Sequence, residues 1–525
     1  MMIENEFDIL LKNLKIIDGS STPAFYGDMG IKSGIISAIG RINSKSADNI
    51  VDCTGLIASP GFIDIHNHSD LSIFIAPGAE NYLFQGVTTI VSGNCGSSAY
   101  PSIDYEIDKD VKKIIPTWNS FKEYYNDIDK LDKKINTAFL VGHNNLRNKI
   151  IGSENLKATD YNIKNMQKLL EEGMECGAFG ISTGLIYRPG SFADINEIIE
   201  LTKIVSKYDG IYVSHIRNES DFLIDALIEA ITIGRKTNTR VQISHFKSSM
   251  KRDHGYAQDG LNLMEYYRRR GVEVTCDVYP ETSFSMGLRN YLPPFTRNIG
   301  EYELDDLLKD KNICEKIERE ISLFSETWEN ELLDSGHENN IISTHNKYPE
   351  FVGKSIKEIS KLLNMTESQT VLHLVKEDPQ CNMIAKGMYE NDIRLILKNR
   401  LSMVASDSSV TPINRGMPHP RGYRAFTKVL CKYARDERLL TLEEAIYKMT
   451  YFPAWKLGLK DRGLIKENFI ADLAIFDYDN VKYTSMYGDS HHYSEGMKYV
   501  IVNGKFVISK GKLTNNDPGE LIRKK

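Results

Sequence analysis

Residues 60–70 read PGFIDIHNHSD, a short apolar strand that runs into two histidines one residue apart. Because alternate residues of a strand point to the same side, the imidazoles of His66 and His68 would face one way and share one ion. An H-x-H pair alone is a weak indication of a metal site. It becomes informative here because other apolar runs of the chain also end in metal-binding residue types.

Eight apolar runs of strand length alternate with longer amphipathic stretches, which is the pattern of repeated βα units around a parallel sheet. Eight is also the strand number of a closed barrel, so the chain is predicted to be an α/β protein with a (β/α)8 TIM-like barrel. The runs are FIDIH (62–66), VTTIV (87–91), TAFLVGH (137–143), AFGIST (178–183), GIYVSH (210–215), RVQISH (240–245), VEVTCDVY (272–279) and LSMVASD (401–407).

The two ends of the chain differ from the middle. Residues 1–58 and 465–525 contain short alternating runs broken by turns, including the hairpin signal Asn503-Gly504. They predict one small β-sandwich domain built from both termini. The catalytic barrel is then assigned to residues 59–286 and 351–464. Residues 287–350 are too long for one crossover and are interpreted as a subdomain inserted between barrel strands 7 and 8.

Composition excludes several classes of partner. The chain has 65 basic and 71 acidic residues and a net charge of −6, so neither nucleic acid nor an anionic membrane is an expected partner. No apolar run is long enough to span a bilayer. The seven cysteines are odd in number and scattered, which favours reduced thiols and a cytoplasmic location. The oligomeric state is left open.

Metal-binding residue types stand at or just after the ends of five runs: His66 and His68, Cys95 of GNCG, His215, His245 and Asp407. In a barrel these ends lie together on the face where active sites form. Each residue also has an ordinary interpretation, as a hydrogen-bonded histidine, a buried cysteine or a helix-capping aspartate. Their recurrence at consecutive strand ends favours a shared metal site.

A thiolate combined with imidazoles suits zinc, and a site with an open coordination position is typical of catalysis. Zinc at such a site activates a bound water and polarises a carbonyl, and Asp407 would carry the proton. Asp64 and Asp70 are candidates for an outer acceptor that fixes a histidine tautomer.

The sequence around these residues resembles the N-acyl-D-amino-acid deacylases (D-aminoacylases) of the amidohydrolase superfamily. Most superfamily members bridge their metals with a carboxylated lysine or a glutamate of strand 4, and AFGISTGL contains neither. The cysteine of GNCG is the replacement used by the deacylase group. The resemblance runs nearly end to end and includes GFIDIHNHSD, SGNCG, GHNNLR, GAFGISTGLIYRPGSFAD, SHIRNES, ISHFK, DVYP, HPRGY and MTYFPAWKLGLKDRGLI.

This resemblance implies roles for individual residues. A tightly bound zinc would be held by Cys95, His215 and His245, and Asp407 would be the catalytic acid/base. A second, weaker metal position would be formed by His66, His68, Cys95 and Asp407. The substrate carboxylate would be gripped by Arg421 and Lys247, assisted by Tyr279 and Ser285, with Tyr187 near the scissile carbonyl.

The implied activity is zinc-dependent hydrolysis of small N-acyl-D-amino acids to a carboxylate and a free D-amino acid. The alternatives are a related amidohydrolase acting on cyclic amides or D-residue dipeptides, and a non-catalytic metal-binding scaffold. The chain departs from the family pattern at Ser69, Ser408 and Glu281, which bears on acyl-group and side-chain preference. Arg217 and Arg289 are candidates for binding an acidic substrate side chain.

Overall fold

A closed barrel of parallel strands occupies the middle of the chain in the computed structural model. Each strand pairs in parallel with the next, and a bridge between Asn67 and Ser408 closes the barrel between its last and first strands. Barrel strands 1 to 8 are, in chain order, Phe62–Asp64, Val87–Ser92, Asn136–Phe139 continued by Val141–Gly142, Gly180–Gly184, Ile211–His215, Arg240–Ile243, Val274–Val278 and Ser402–Val404.

Helices surround the barrel and pack against it with one apolar face, because their apolar residues recur with helical spacing. Asp160–Glu175, for example, starts with a capping box from Thr159 and buries Met166, Leu170 and Met174 along one face. The helices of this layer are Ser72–Ile75, Glu80–Leu83, Phe121–Lys130, His143–Ile150, Asp160–Glu175, Ile195–Lys207, Leu223–Thr237, Tyr256–Arg268, Glu390–Lys398, Arg421–Lys428 with a π-helical continuation Val429–Asp436, Leu442–Met449 and Tyr451–Leu457.

A second unit is a nine-stranded sheet made from both ends of the chain. Ile57–Pro60 joins the two contributions, because it pairs with Phe7–Ile16 on one side and Leu473–Phe476 on the other. The turn at Asn503-Gly504 has φ of 47° and 77°, as a tight hairpin requires. The predicted fold class, a (β/α)8 barrel with a small β-sandwich domain and an insertion, is confirmed. The remaining strands of this sheet are Phe25–Lys32, Ile35–Gly40, Ala47–Asp52, Met497–Val502, Lys505–Ser509 and Lys512–Leu513.

The segment between barrel strands 7 and 8 is longer than the predicted 287–350. Its antiparallel sheet comprises Ser283–Gly287, Asn340–Thr344 and Asn382–Lys386, and its own apolar core extends to Ala385. Helical periodicity does not reveal which core a helix faces, so two of its helices were predicted to belong to the barrel. The helices are Pro294–Arg297, Lys311–Ile321, Glu331–Ser335, Ile356–Leu363 and Glu367–Glu377.

The structure describes residues 5–43, 46–102, 117–249, 255–297, 304, 306–323, 328, 330–412 and 416–525. Part of the predicted 287–350 insertion therefore lies outside the described residues. Within the described residues, none of the helices combines the length and the apolar character needed to cross a membrane.

Candidate metal centre and active site

Side chains from the ends of strands 1, 2, 6 and 8 converge at the mouth of the barrel. His66, Cys95, His245 and Asp407 each place one ligand atom within 4.8 Å of the others. Cys95 Sγ lies 3.3 Å from His66 Nε2 and 3.4 Å from His245 Nε2. Asp407 Oδ1 lies 3.3 Å from His66 Nε2 and 3.1 Å from His68 Nε2. A thiol, three imidazoles and a carboxylate thus face one small space.

His215, at the end of strand 5, adds a fourth imidazole. Its ring centroid lies 4.3 Å from that of His245, and only 3% of the residue is exposed. Neither of its ring nitrogens has a hydrogen-bond partner among the described residues. Because buried polar groups are nearly always satisfied, this orphaned imidazole indicates a ligand beside it. Together with Cys95 and His245, it forms a donor set that fits a zinc ion.

Two carboxylates back the histidines from outside the centre. His66 Nδ1 lies 3.0 Å from Asp277 Oδ1, and His245 Nδ1 lies 3.0 Å from Glu219 Oε1. Since each carboxylate occupies the Nδ1 side of a ring, both rings turn Nε2 toward Cys95. This is the arrangement in which outer-shell carboxylates orient metal-binding histidines.

The predicted outer acceptors, Asp64 and Asp70, do not have that role. Asp64 accepts hydrogen bonds from Asn67 Nδ2 and from the backbone of Ser406. Asp70 makes no hydrogen bond to a histidine in the described part of the chain. Asp277 was detectable, because it alternates with Tyr279 on the inward side of a buried strand. Glu219 lies in a loop, where no periodicity marks it.

Burial and nearby charges oppose each other at the two anionic groups of the centre. Burial raises the pKa of the Cys95 thiol, but His66 and His245 hold that pKa well below its usual range. Burial likewise raises the pKa of Asp407, yet the facing Arg421 guanidinium and His245 hold it well below the usual carboxyl value. At both groups the nearby cations thus favour the anionic form, which is the form in which a thiol binds a metal and a carboxyl accepts a proton.

The backbone at three of these residues is in the left-handed region. The φ angles are 52° at Cys95, 33° at His245 and 48° at Asp407. Such conformations cost on the order of 1–3 kcal/mol each and cluster at functional sites. The glycine after Cys95 is also required, because a Cβ on Gly96 would lie 2.3 Å from Asn144 Oδ1 and 2.6 Å from Gly184 N.

Two buried cations lie beside the centre and against one aromatic ring. Arg421 and Lys247 stand 4.5 and 5.7 Å from the ring centroid of Tyr279. Lys247 Nζ is 2.8 Å from Glu219, a partner that the sequence interpretation had not included. Arg421 Nη1 is 2.8 Å from Asp407 Oδ2, but its Nε and Nη1 have no aligned hydrogen-bond acceptor among the described residues. Arg421 therefore retains donors for an anion.

Of the other residues expected at the site, Tyr187 lies beside the centre, whereas Ser285 and Arg217 have partners outside it. The Tyr187 ring lies 4.7 Å from the ring of His215. Ser285 pairs with Ile384 in the inserted sheet and makes no hydrogen bond to the metal cluster within the described ranges. Arg217 is held by Glu229 at 3.0 Å, so it contributes no cation to this site.

Comparison with known proteins gives full-length matches. The profile of the amidohydrolase family matches residues 49–200 and 356–508. An N-acyl-D-aspartate deacylase of Alcaligenes xylosoxydans xylosoxydans is 30% identical over 98% of this chain and 95% of its own. A D-aminoacylase of the same organism is 31% identical over 98% of this chain and 97% of its own.

A solved structure is equally similar. It is the N-acyl-D-glutamate deacylase of Bordetella bronchiseptica, complexed with zinc and a phosphonate inhibitor that mimics the tetrahedral intermediate of the reaction. It is 29% identical, covers 98% of this chain and 99% of its own, and superposes with a TM-score of 0.84.

Proposed function

The chain belongs to the amidohydrolase family and, within it, to the N-acyl-D-amino-acid deacylases, and on that premise we propose that it hydrolyses the amide bond of N-acyl-D-amino acids. The products would be a carboxylate and a free D-amino acid. The observation that carries the proposal is the juxtaposition of a Cys/His metal-donor set with Arg421, whose Nε and Nη1 have no aligned hydrogen-bond acceptor among the described residues. A hydrolytic centre and an anion-binding group then meet at Asp407.

Zinc is the proposed ion, because the donors are a thiolate and imidazoles. Cys95, His215 and His245 would hold the tightly bound ion. His66 and His68, with Cys95 and Asp407, would form a second, weaker position. When bound, zinc supplies Lewis acidity, which activates water and polarises the amide carbonyl.

Asp407 would move the proton. It accepts the proton of the attacking water as the water oxygen bonds to the carbonyl carbon, and it returns that proton to the nitrogen as the C–N bond breaks. Its place in this proposal is supported by contacts with His68 and His66 on one oxygen and Arg421 on the other.

Recognition of the substrate would rest on its carboxylate. Arg421 offers a planar fork of donors, and Lys247, although paired with Glu219, adds a point charge beside the same Tyr279 ring. Tyr187 would lie at the carbonyl. With the carbonyl and the carboxylate both fixed, the side chain of only one enantiomer points into its pocket.

The named relatives do not single out one substrate side chain, because an N-acyl-D-aspartate deacylase, an N-acyl-D-glutamate deacylase and a D-aminoacylase are similarly identical to this chain. Glu281 was expected near the substrate. Its carboxylate is 2.7 Å from Arg424 and 2.9 Å from Lys428, so it is neutralised and does not repel an anionic substrate.

Release of free amino acid from paired N-acetyl-D- and N-acetyl-L-methionine tests the proposal, with N-acetyl-D-aspartate and N-acetyl-D-glutamate as further substrates. Hydrolysis of D forms only, abolished by a chelator and restored by zinc, is the expected result. A hydantoin and a D-residue dipeptide are assayed in parallel. Zinc-loaded protein that opens only the cyclic amide, or that hydrolyses none of these compounds, would overturn the proposal.

A further inference from the structure

The GHNNLR segment, residues 142–147, lies between two loops of the active-site face and has no part in the chemistry proposed above. It follows strand 3 and forms the first turns of helix His143–Ile150, where every residue from His143 to Arg147 is buried. On one side is the cysteine loop, residues 93–101, which carries Cys95. On the other is the tyrosine loop, residues 184–194, which carries Tyr187.

The segment is bonded to the cysteine loop through backbone and side chains. The backbone N–H of Asn144 donates to the carbonyl oxygen of Gly96 at 2.9 Å. Asn145 Nδ2 donates to the carbonyl oxygens of Ser98 and Pro101 at 2.7 and 2.6 Å, and its Oδ1 accepts from Ser98 N at 3.0 Å. The residues just after Cys95 are thereby held at several points.

Asn144 also bonds to the tyrosine loop. Its Nδ2 donates to the carbonyl oxygen of Gly184 at 3.3 Å and lies 3.5 Å from that of Arg188, the residue next to Tyr187. The fit is close, because a Cβ on either Gly96 or Gly190 would lie 2.3 Å from Asn144 Oδ1. The Asn144 carboxamide therefore fills the space between the two loops.

The far end of the tyrosine loop is fixed by the same helix. His143 Nε2 lies 2.8 Å from Glu197 Oε1, and Arg147 Nη1 bonds to the other oxygen of that carboxylate. Glu197 is in the first turn of helix Ile195–Lys207, immediately after the loop. Along the middle of the loop, the Asn144 contacts act together with bonds from Arg217 to the carbonyl oxygens of Ser191 and Ala193.

We propose that Asn144 is a positioning residue for the reaction, which holds Tyr187 against His215 by tying the tyrosine loop to the cysteine loop. The inference rests on the proposed function, because it takes Tyr187 to act at the substrate carbonyl. A displacement of about 1 Å in a reacting group costs roughly 100-fold in rate. Loss of the Asn144 amide is therefore expected to act mainly on kcat.

The test is a double-mutant cycle in the zinc-loaded full chain. Asn144→Ala is expected to lower kcat roughly 10- to 100-fold, with KM changed less than about 3-fold and zinc content close to wild type. In a Tyr187→Phe background the same substitution should cost less than about 2-fold, because the group it positions is already impaired. Asn144→Ser serves if the alanine variant folds poorly. The matched control is Asn148→Ala, a half-buried asparagine of the same helix.

Three outcomes overturn the inference. An Asn144→Ala enzyme with wild-type kcat shows that the contact does not matter, and an equal loss in both backgrounds shows that it acts independently of Tyr187. Loss of zinc would show that Asn144 serves the cysteine loop instead. Absence of hydrolysis in the wild type, by contrast, would reject the proposed function and is recognised before any variant is made.

Discussion

Replacement of Glu219 by glutamine tests how much a carboxylate behind a metal-binding histidine contributes to zinc affinity. The Glu219 carboxylate is 3.0 Å from His245 Nδ1 and 2.8 Å from Lys247 Nζ. Lys247 Nζ also lies 2.9 Å from the same His245 Nδ1. The carboxylate and the ammonium thus compete for one ring nitrogen. Only the carboxylate favours a proton on Nδ1, which leaves Nε2 bare for a metal.

The expected magnitude follows from this competition. A neutral glutamine accepts a hydrogen bond from Nδ1–H less strongly, so the tautomer of His245 with its proton on Nε2 becomes more populated. That tautomer must be converted to the Nδ1–H form before Nε2 can bind zinc. Loss of an outer-shell carboxylate typically costs 10- to 100-fold in metal affinity. That range corresponds to about 1.4–2.8 kcal/mol of zinc-binding free energy.

Zinc affinity is measured by competition with a chromophoric chelator, and unfolding is followed in the same samples. The matched control is Glu229→Gln, which removes the same charge from the Arg217 pair and should leave zinc affinity unchanged. A Glu219→Gln protein that binds zinc within 2-fold of wild type would refute the reasoning.

Three further predictions concern the scaffold. Gly96→Ala should lower zinc affinity more than 10-fold by displacing the Cys95 loop. The control is Gly152→Ala, which is also at positive φ but has nothing within 4 Å of the added Cβ. It should lower the free energy of unfolding by only about 1 kcal/mol and leave zinc affinity unchanged. Burial lowers the pKa of Lys456 to about 7 from 10.5, so the unfolded chain binds the extra proton and unfolding free energy should rise between about pH 7 and 10.5. Urea titrations should find that rise reduced by a few kcal/mol in Lys456→Met and unchanged in the exposed control Lys460→Met. Deletion of residues 518–525 removes the buried Leu521 and backbone hydrogen bonds to Lys133, Thr137 and Gly177. It should lower the free energy of unfolding in denaturant by at least about 3 kcal/mol. An unchanged denaturation midpoint would contradict this.

The barrel was predictable because its strands are buried on both faces and therefore appear as continuous apolar runs. Once the runs are counted, barrel topology brings their carboxyl ends together. This is why His66, Cys95, His245 and Asp407, which come from four different parts of the sequence, could be grouped before their distances were known. The hairpin at Asn503-Gly504 was predictable for a local reason, since few residue pairs accept positive φ at both positions.

Partnerships between loops were not predictable in the same way. Lys247 was interpreted as a cation beside the substrate carboxylate, but its ion pair with Glu219, which comes from the loop after the preceding strand, was not anticipated. The position of Ser285 in a strand of the inserted sheet was likewise not anticipated. In both cases the deciding contact is between loops or outside the barrel, where no periodicity constrains which side chains meet.

Charge balance gives the Glu219→Gln variant a second, opposite effect. The centre combines four groups that carry negative charge when ionised, Cys95, Glu219, Asp277 and Asp407, with the cations Lys247 and Arg421, and a divalent ion compensates the two excess negative charges. Replacing Glu219 leaves the zinc-loaded site one charge more positive and releases Lys247 from its ion pair. An unpaired buried ammonium is destabilised, and a bound anion relieves that cost. At saturating zinc, KM for an N-acyl-D-amino acid should therefore fall, although zinc itself binds more weakly. A KM that rises at saturating zinc would show that Glu219 supports the site only by holding Lys247 in place.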